Sequence, residues 1–228
     1  NKPREENDIH YVVMEFLSGG NLRQWVAGGK LNRTQILRAL QRLGAGLQYA
    51  HERRVFHRNI KPTNILFDST GHARLTDFGL TWPNDATESS EARADRILFT
   101  APEEQIGDSG GDARADVYSL GMCAMFALYG KELSSRAVTD RQNFLDALDA
   151  PAPLKNVLRK ATSENPADRY ATAAEMCRAL EFDSPVLPGI TARERSGPLD
   201  IRSSIPPVQK PGASIETPAS APPPVAAA

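Results

Sequence analysis

Two short stretches hold the residues whose types could do chemistry: His57-Arg58-Asn59-Ile60-Lys61-Pro62-Thr63-Asn64 and, a little downstream, Thr76-Asp77-Phe78-Gly79-Leu80. Asp77 offers a carboxylate and Asn64 a neutral carbonyl oxygen, both hard donors of the kind magnesium takes. Lys61 offers positive charge for an anionic group. The Asn59 side-chain oxygen can accept a hydrogen bond, but a carboxamide cannot take up a proton as a carboxylate does. Taken one at a time, the aspartate reads as readily as a turn residue and the asparagine as a loop cap.

Such groups need elements to hold them. Residues 9–16 are β-branched and aromatic and stop at Ser18-Gly19-Gly20, which predicts a strand. Asn21 caps a short helix that runs to Ala27 and ends at Gly28-Gly29. Asn32 and Gln35 stand in capping-box spacing ahead of a long helix whose Ile36, Leu40, Leu43, Leu47 and Ala50 share a face. Short strands are expected at Ile65-Leu66-Phe67 and Arg74-Leu75-Thr76, joined by the turn Asp68-Ser69-Thr70-Gly71. Residues 116–128 are apolar on nearly every side, as in a helix buried all round. Helical stretches follow near 140–148, 154–161 and 173–180, the last opened by Thr172 and Glu175 in capping-box spacing. The picture is a helical domain with a small β element beside its active edge.

In their order along the chain these motifs resemble the protein kinase family, whose catalytic loop reads H-R-D-x-K-P-x-N and whose metal-binding turn reads D-F-G. Ala101-Pro102-Glu103 matches the family's A-P-E, and Asp116-Val117-Tyr118-Ser119-Leu120-Gly121 its buried-helix motif. Arg169 sits where a late arginine lies, and Met14-Glu15-Phe16-Leu17 with Gly19-Gly20-Asn21-Leu22 looks like the hinge between lobes. The fold class implied is α+β, mostly α: a protein-kinase-like C-lobe with one hinge strand of an otherwise missing N-lobe. Residues 1–17 would be the N-lobe remnant and hinge strand, 18–182 the C-lobe, and 183–228 a disordered Pro/Ala-rich tail.

The resemblance implies ATP and Mg2+ as cofactors, provided that the missing lobe is supplied upstream, and a protein substrate. Asp77 and Asn64 would ligate the metal and Lys61 would neutralise the transferring phosphate, while Met14, Glu15 and Leu17 would border the nucleotide. Lys61, two residues after position 59, resembles serine/threonine rather than tyrosine kinases. His57 and Phe78 would stack to hold the metal turn with Gly79, and Asp116 would accept backbone donors from the catalytic loop. Glu103 would pair with Arg169, and Arg58 could meet a phosphate in the loop holding Thr81, Thr87, Ser89, Ser90 and Thr100.

Three departures qualify the resemblance. Asn59 stands where the family has an aspartate, and a positioned general base contributes on the order of 10²–10⁴ in rate. Asp95-Arg96 stands where the family has Gly-Thr, in the segment that cradles the substrate peptide. The glycine-rich strand pair, strand lysine and helix glutamate that hold ATP would all lie before Asn1. Two readings follow: a serine/threonine kinase with impaired transfer, or a pseudokinase acting as a nucleotide-binding or protein-docking module. Ala101-Pro102-Glu103 and Lys61-Pro62 argue against a small-molecule phosphotransferase.

Composition narrows the setting. An apolar content of 40% supports a packed core, and a net charge of −1 gives no bulk attraction for nucleic acid. Cys123 and Cys177 read as core residues, which fits a reducing compartment. The longest apolar stretch, 120–129, is far short of the roughly 20 residues of a membrane span. The tail from Asp183 lacks aromatic residues and is dense in proline, the composition of a segment that stays unfolded. It resembles the linker that joins a cytosolic kinase domain to a membrane segment in bacterial relatives. The expected location is therefore the cytoplasm, on the cytoplasmic face of a membrane if the protein continues past the tail. With a start at Asn1 rather than methionine, the expectation is a fragment of a longer kinase, the alternative being a chain that does not hold ATP in the family's way.

Overall fold

A computed structural model of the chain describes residues 4–6, 9–11, 13–79, 90–106 and 112–181, all within the unit Asn1–Pro185. In chain order the strands are β1 (Arg4–Glu6), β2 (Ile9–Tyr11), β3 (Ile65–Phe67) and β4 (Ala73–Leu75). The helices are α1 (Leu22–Ala27), α2 (Arg33–His51), α3 (Ser90–Phe99), α4 (Pro102–Gln105), α5 (Ala113–Tyr129), α6 (Arg136–Thr139), α7 (Arg141–Ala147), α8 (Ala152–Ala161) and α9 (Ala173–Ala179).

Helix α5 is the axis. Its side chains from Ala115 to Ala127 are all buried, which its nearly uniform apolar sequence requires. Asp112 caps its start by accepting from the Arg114 N–H, and Gly130, at φ 73°, ends it in the left-handed conformation that glycine adopts without strain. Helices α2, α3, α8 and α9 pack around it or against one another. Gly121 sets the approach of α8: a Cβ there would lie 2.9 Å from the Thr162 methyl. Helix α2 begins with the reciprocal Asn32–Gln35 box and turns Ile36, Leu37, Leu40, Leu43 and Leu47 inward. Cys123 lies buried in this core, and Cys177 of α9 faces Gly44 of α2; both are free thiols.

The β3–β4 pair is antiparallel, with Ile65 opposite Leu75 and Phe67 opposite Ala73. Its turn is closed by the Asp68 carboxylate, which accepts from the Thr70 hydroxyl and the N–H groups of Thr70 and His72. The segment entering α1 is pinned to β3: Gly19 N–H donates to the Phe67 carbonyl and Phe67 N–H to the Gly20 carbonyl. Trp25 stacks on Phe67 with centroids 3.9 Å apart and donates its indole N–H to the Gly19 carbonyl.

Three expectations meet a different structure. The strand expected over residues 9–16 ends at Tyr11, and it has a partner, β1, in antiparallel register with Arg4 opposite Tyr11. Residues 13–17 are in no strand, since β-branched composition makes a strand only where a neighbour supplies hydrogen bonds. The segment read as a loop before Ala101 is helical from Ser90 to Phe99, because Asp95, Leu98 and Phe99 are buried at i, i+3 and i+4. The second short strand lies one residue earlier than expected. The tail read as disordered, 183–228, lies outside the described residues, as do Thr81, Thr87 and Ser89. Among the described residues no helix is long and apolar enough to cross a membrane.

The lower part of the core is closed by Arg169. Its guanidinium bonds both Glu103 oxygens at 2.6 and 2.8 Å and donates to the carbonyls of Ser163, Glu164 and Arg114, so all five N–H groups are used. Replacing Arg169 by methionine leaves Glu103 and three carbonyls without their donor. The variant should lose about 3–5 kcal/mol in urea denaturation; a loss below about 1 kcal/mol would show that the pair is dispensable.

Candidate active site

The site starts from one buried charge. Asp116, in the first turn of α5, is fully buried, and its carboxylate accepts the N–H groups of His57 and Arg58, each at 2.8 Å. His51, the last residue of α2, places its Nε2 2.7 Å from the same carboxylate. The loop that follows α2 is therefore fastened at its base. Arg58 adopts φ 59°, a left-handed conformation that costs a non-glycine residue about 1–3 kcal/mol. The two charge-assisted bonds to Asp116 offset that cost.

Beyond the anchor, a 3₁₀ turn over Pro62–Asn64 carries the chain into β3. Asn64 is buried and donates its side-chain N–H to the Asn59 carbonyl at 2.8 Å. That bond fixes the amide with Oδ1 as its open end. Thr76 N–H donates to the Asn64 carbonyl, so β4 delivers Asp77 beside Asn64. Asp77, at φ 63°, has a long 3.5 Å contact from the Thr76 hydroxyl. Lys61 has no ion-pair partner among the described residues and is half-buried at the same loop.

The turn 77–79 is tied back to the loop. Gly79 N–H donates to the His57 carbonyl, and the His57 and Phe78 rings lie 4.3 Å apart. Burial lowers the pKa of His57 against the opposing pull of Asp116, and both its ring nitrogens are buried without a partner. The ring is thus a neutral packing group that holds the turn.

His57, Arg58, Asn59, Lys61, Asn64, Asp77, Phe78, Gly79 and Asp116 come together here, while Glu103 and Arg169 form the separate pair described above. Met14, Glu15 and Leu17 lie in the irregular segment before Gly19, with Met14 exposed and Phe16 88% exposed. Among the described residues no group of three or more His, Cys, Asp or Glu converges on one point. Magnesium does not demand one, since it takes one or two protein oxygens plus water and phosphate. One carboxylate and one oriented carbonyl oxygen fit that pattern.

Two features escaped sequence reasoning: the ion pair of Asp95 and the environment of Glu104. Asp95 of α3 is buried and pairs with Arg23 of α1 at 2.5 Å, and Arg23 also reaches Glu132 at 3.1 Å. The helical spacing of Asp95, Leu98 and Phe99 was the available signal. Glu104 follows Glu103 on α4, and burial pushes its carboxyl up to about 7, with the Asp116 charge adding to the shift and Arg58 opposing it. No sequence pattern marks it, because the causes, burial first and then the charge of Asp116, exist only in the fold.

Comparison with known proteins extends this geometry. The family described as "Protein kinase domain" matches residues 3–181. Over 186 residues the chain is 30% identical to serine/threonine-protein kinase PrkC of Bacillus subtilis, covering 75% of this chain and 28% of PrkC. It is 33% identical over 186 residues to serine/threonine-protein kinase PknL of Mycobacterium tuberculosis, covering 75% of this chain and 46% of PknL. The chain thus spans less than half the length of these curated relatives. The crystal structure of the Mycobacterium tuberculosis PknI kinase domain superposes with a TM-score of 0.60 at 24% identity, covering 78% of this chain and 68% of that one, a likeness of fold.

Two measurements probe the site. Asp116→Asn turns an acceptor of three donors into a group with one oxygen, and should cost about 3 kcal/mol in urea denaturation. Amide hydrogen exchange at His57 and Arg58 should rise with it; unchanged protection would show that the loop is held by something else. Glu104 titrates in the opposite sense to His57. Its raised pKa means that its contribution is full below the ordinary value of 4.5 and is lost as pH rises through about 7. The contribution of neutral His57 is full above 6.5 and is lost as pH falls through its lowered pKa. Glu104→Gln removes the first effect alone, so the variant should gain stability relative to the parent between about pH 5 and pH 8. A constant difference across that range would show that Glu104 is not shifted.

Proposed function

The chain belongs to the protein kinase family, and on that premise we propose that it forms the catalytic-loop part of a serine/threonine protein kinase in which ATP-dependent phosphoryl transfer to protein is impaired. In this reading residues 18–182 are the C-lobe, 1–17 the remnant of the N-lobe with its hinge, and 183–228 a disordered tail. The protein works in the cytoplasm, and if it continues past the tail it stands at the cytoplasmic face of a membrane.

The observation that carries the reading is an otherwise furnished loop with an amide at its centre. Asn64, oriented by its bond to the Asn59 carbonyl, and Asp77, delivered by β4, supply the two oxygens that would hold Mg2+. When bound with ATP, the ion neutralises phosphate charge. Lys61, with no carboxylate among the described residues drawing its ammonium away, would sit against the phosphate being transferred. Met14, Glu15 and Leu17 would border the nucleotide. Asn59 can orient a substrate hydroxyl by accepting its hydrogen bond, yet it cannot accept the proton. Positioning and charge neutralisation survive, and proton removal is lost.

A second reading, a pseudokinase that binds nucleotide or docks a protein partner, is favoured by α3. Residues 95–96 stand where the family has its substrate-cradling Gly-Thr, and here they lie within a helix anchored through Asp95 to Arg23.

The discriminating experiment uses the complete gene product with ATP, Mg2+ and casein. If the amide at position 59 limits transfer, Asn59→Asp should raise the rate by about 10²–10⁴, and Asp77→Ala should abolish it in either background. An Asn59→Asp protein that binds ATP but transfers no faster would reject the impaired-kinase reading in favour of the docking module. Brisk transfer by the unaltered protein would reject both.

A further inference from the structure

A cavity of about 470 Å³ opens between α6 and α7 on one side and the end of α8 with its following turn on the other. Arg141 lies buried at its floor, only 9% exposed. Of its guanidinium nitrogens, Nη2 donates to the Tyr118 hydroxyl at 3.2 Å and Nε is buried without an acceptor. No carboxylate pairs with it among the described residues. Its other contact is the Tyr118 ring, whose centroid is 5.5 Å from its central carbon. Arg169, the other guanidinium on that ring, stands 4.9 Å away and has Glu103 to itself. Among the described residues one arginine is thus fully neutralised and a second is buried without a counter-ion, an expensive arrangement.

The remaining charges of the cavity define what would balance it. Arg159 is spent on Asp146, Gln142 and Asn156. Asp140 is held by Arg136 and Asn143. Glu164 and Asp168 are exposed at the mouth, and among the described residues their carboxylates have no partner. An unbalanced cation therefore lies at the floor and two unbalanced acids at the rim. We propose that this cavity is a docking site for a protein segment in which an acidic side chain, seated on Arg141, is flanked by basic residues that meet Glu164 and Asp168. The acidic rim repels a free dianion, whereas a carboxylate carried between lysines satisfies both layers of charge. The site shares no residue with the catalytic loop, so its fate and that of the reading of Asn59 are independent.

The test is an NMR titration of the full chain that follows the Arg141 Nε–H resonance, whose proton is shielded from solvent. The probe is a blocked pentapeptide, Lys-Lys-Glu-Lys-Lys, with its Gln counterpart and inorganic phosphate as controls. The Glu peptide should shift the resonance saturably, and the Gln peptide should bind about tenfold more weakly, the scale of a lost charge-assisted bond. Glu164→Lys combined with Asp168→Lys should weaken the Glu peptide by at least a comparable factor. Arg141→Met removes the reporting group and is read by melting alone: it should raise the melting temperature, since it removes a buried charge that has no carboxylate partner among the described residues and keeps the volume. A silent resonance, equal affinity for the two peptides, or phosphate binding more tightly than the Glu peptide would overturn the proposal. So would an Arg141→Met protein that melts lower, because the arginine would then be structural.

Discussion

A carboxylate taken out of water must be surrounded by donors, and Asp116 meets that demand with the backbone of the loop it supports. The three donors come from His51, His57 and Arg58, and the first stands 65 residues from Asp116 in sequence. Helix α5 can carry this charge because its neighbours along the helix are packed into the core: Val117, Tyr118, Leu120 and Met122 are wholly inaccessible. The loop is tied to that core. Arg58 is held in a left-handed conformation, Asn64 reaches the Asn59 carbonyl, and Gly79 closes on His57. Each bond depends on the loop base being fixed where Asp116 fixes it.

In the proposed reading this scaffold carries the groups that would manage phosphate charge, and the group at position 59 is chemically different from the acid of the family. The contrast matters because the two functions are physically separable. Charge neutralisation needs oxygens and an ammonium at fixed places, whereas proton removal needs a base of suitable strength. The segment before Ala101 carries the same message from another direction. Helix α3 packs Phe99 against Phe126 of α5 at 6.1 Å and secures Asp95 to Arg23, so this stretch is engaged with the body of the fold.

The two buried arginines beside Tyr118 show how differently one fold can treat the same charge. Arg169 uses every N–H within the protein, so its place is structural. Arg141 has a hydroxyl and an aromatic face, neither of which carries a full negative charge. A buried group whose charge the fold leaves uncompensated is where an external partner has most to offer.

Much of this was legible in the sequence. Caps and periodicity are short-range signals, so α1, α2 and α9 with their asparagine and threonine caps were readable, and α5 was readable as an apolar run over 116–128, without its Asp112 cap and first turn. The order of the motifs identified the family, and the identity of residue 59 needs no structure at all. The end of β2 at Tyr11, its pairing with β1, the helix over residues 90–99 and the raised carboxyl of Glu104 were not readable. Strand pairing, burial and electrostatic shifts depend on neighbours distant in the chain, and local composition does not encode that distance. Sequence alone therefore determined which chemical groups are present and in what order. Tertiary structure decided which of them are satisfied, because only folding brings a donor such as His51 to an acceptor such as Asp116, or gives Arg141 a hydroxyl and no carboxylate among the described residues.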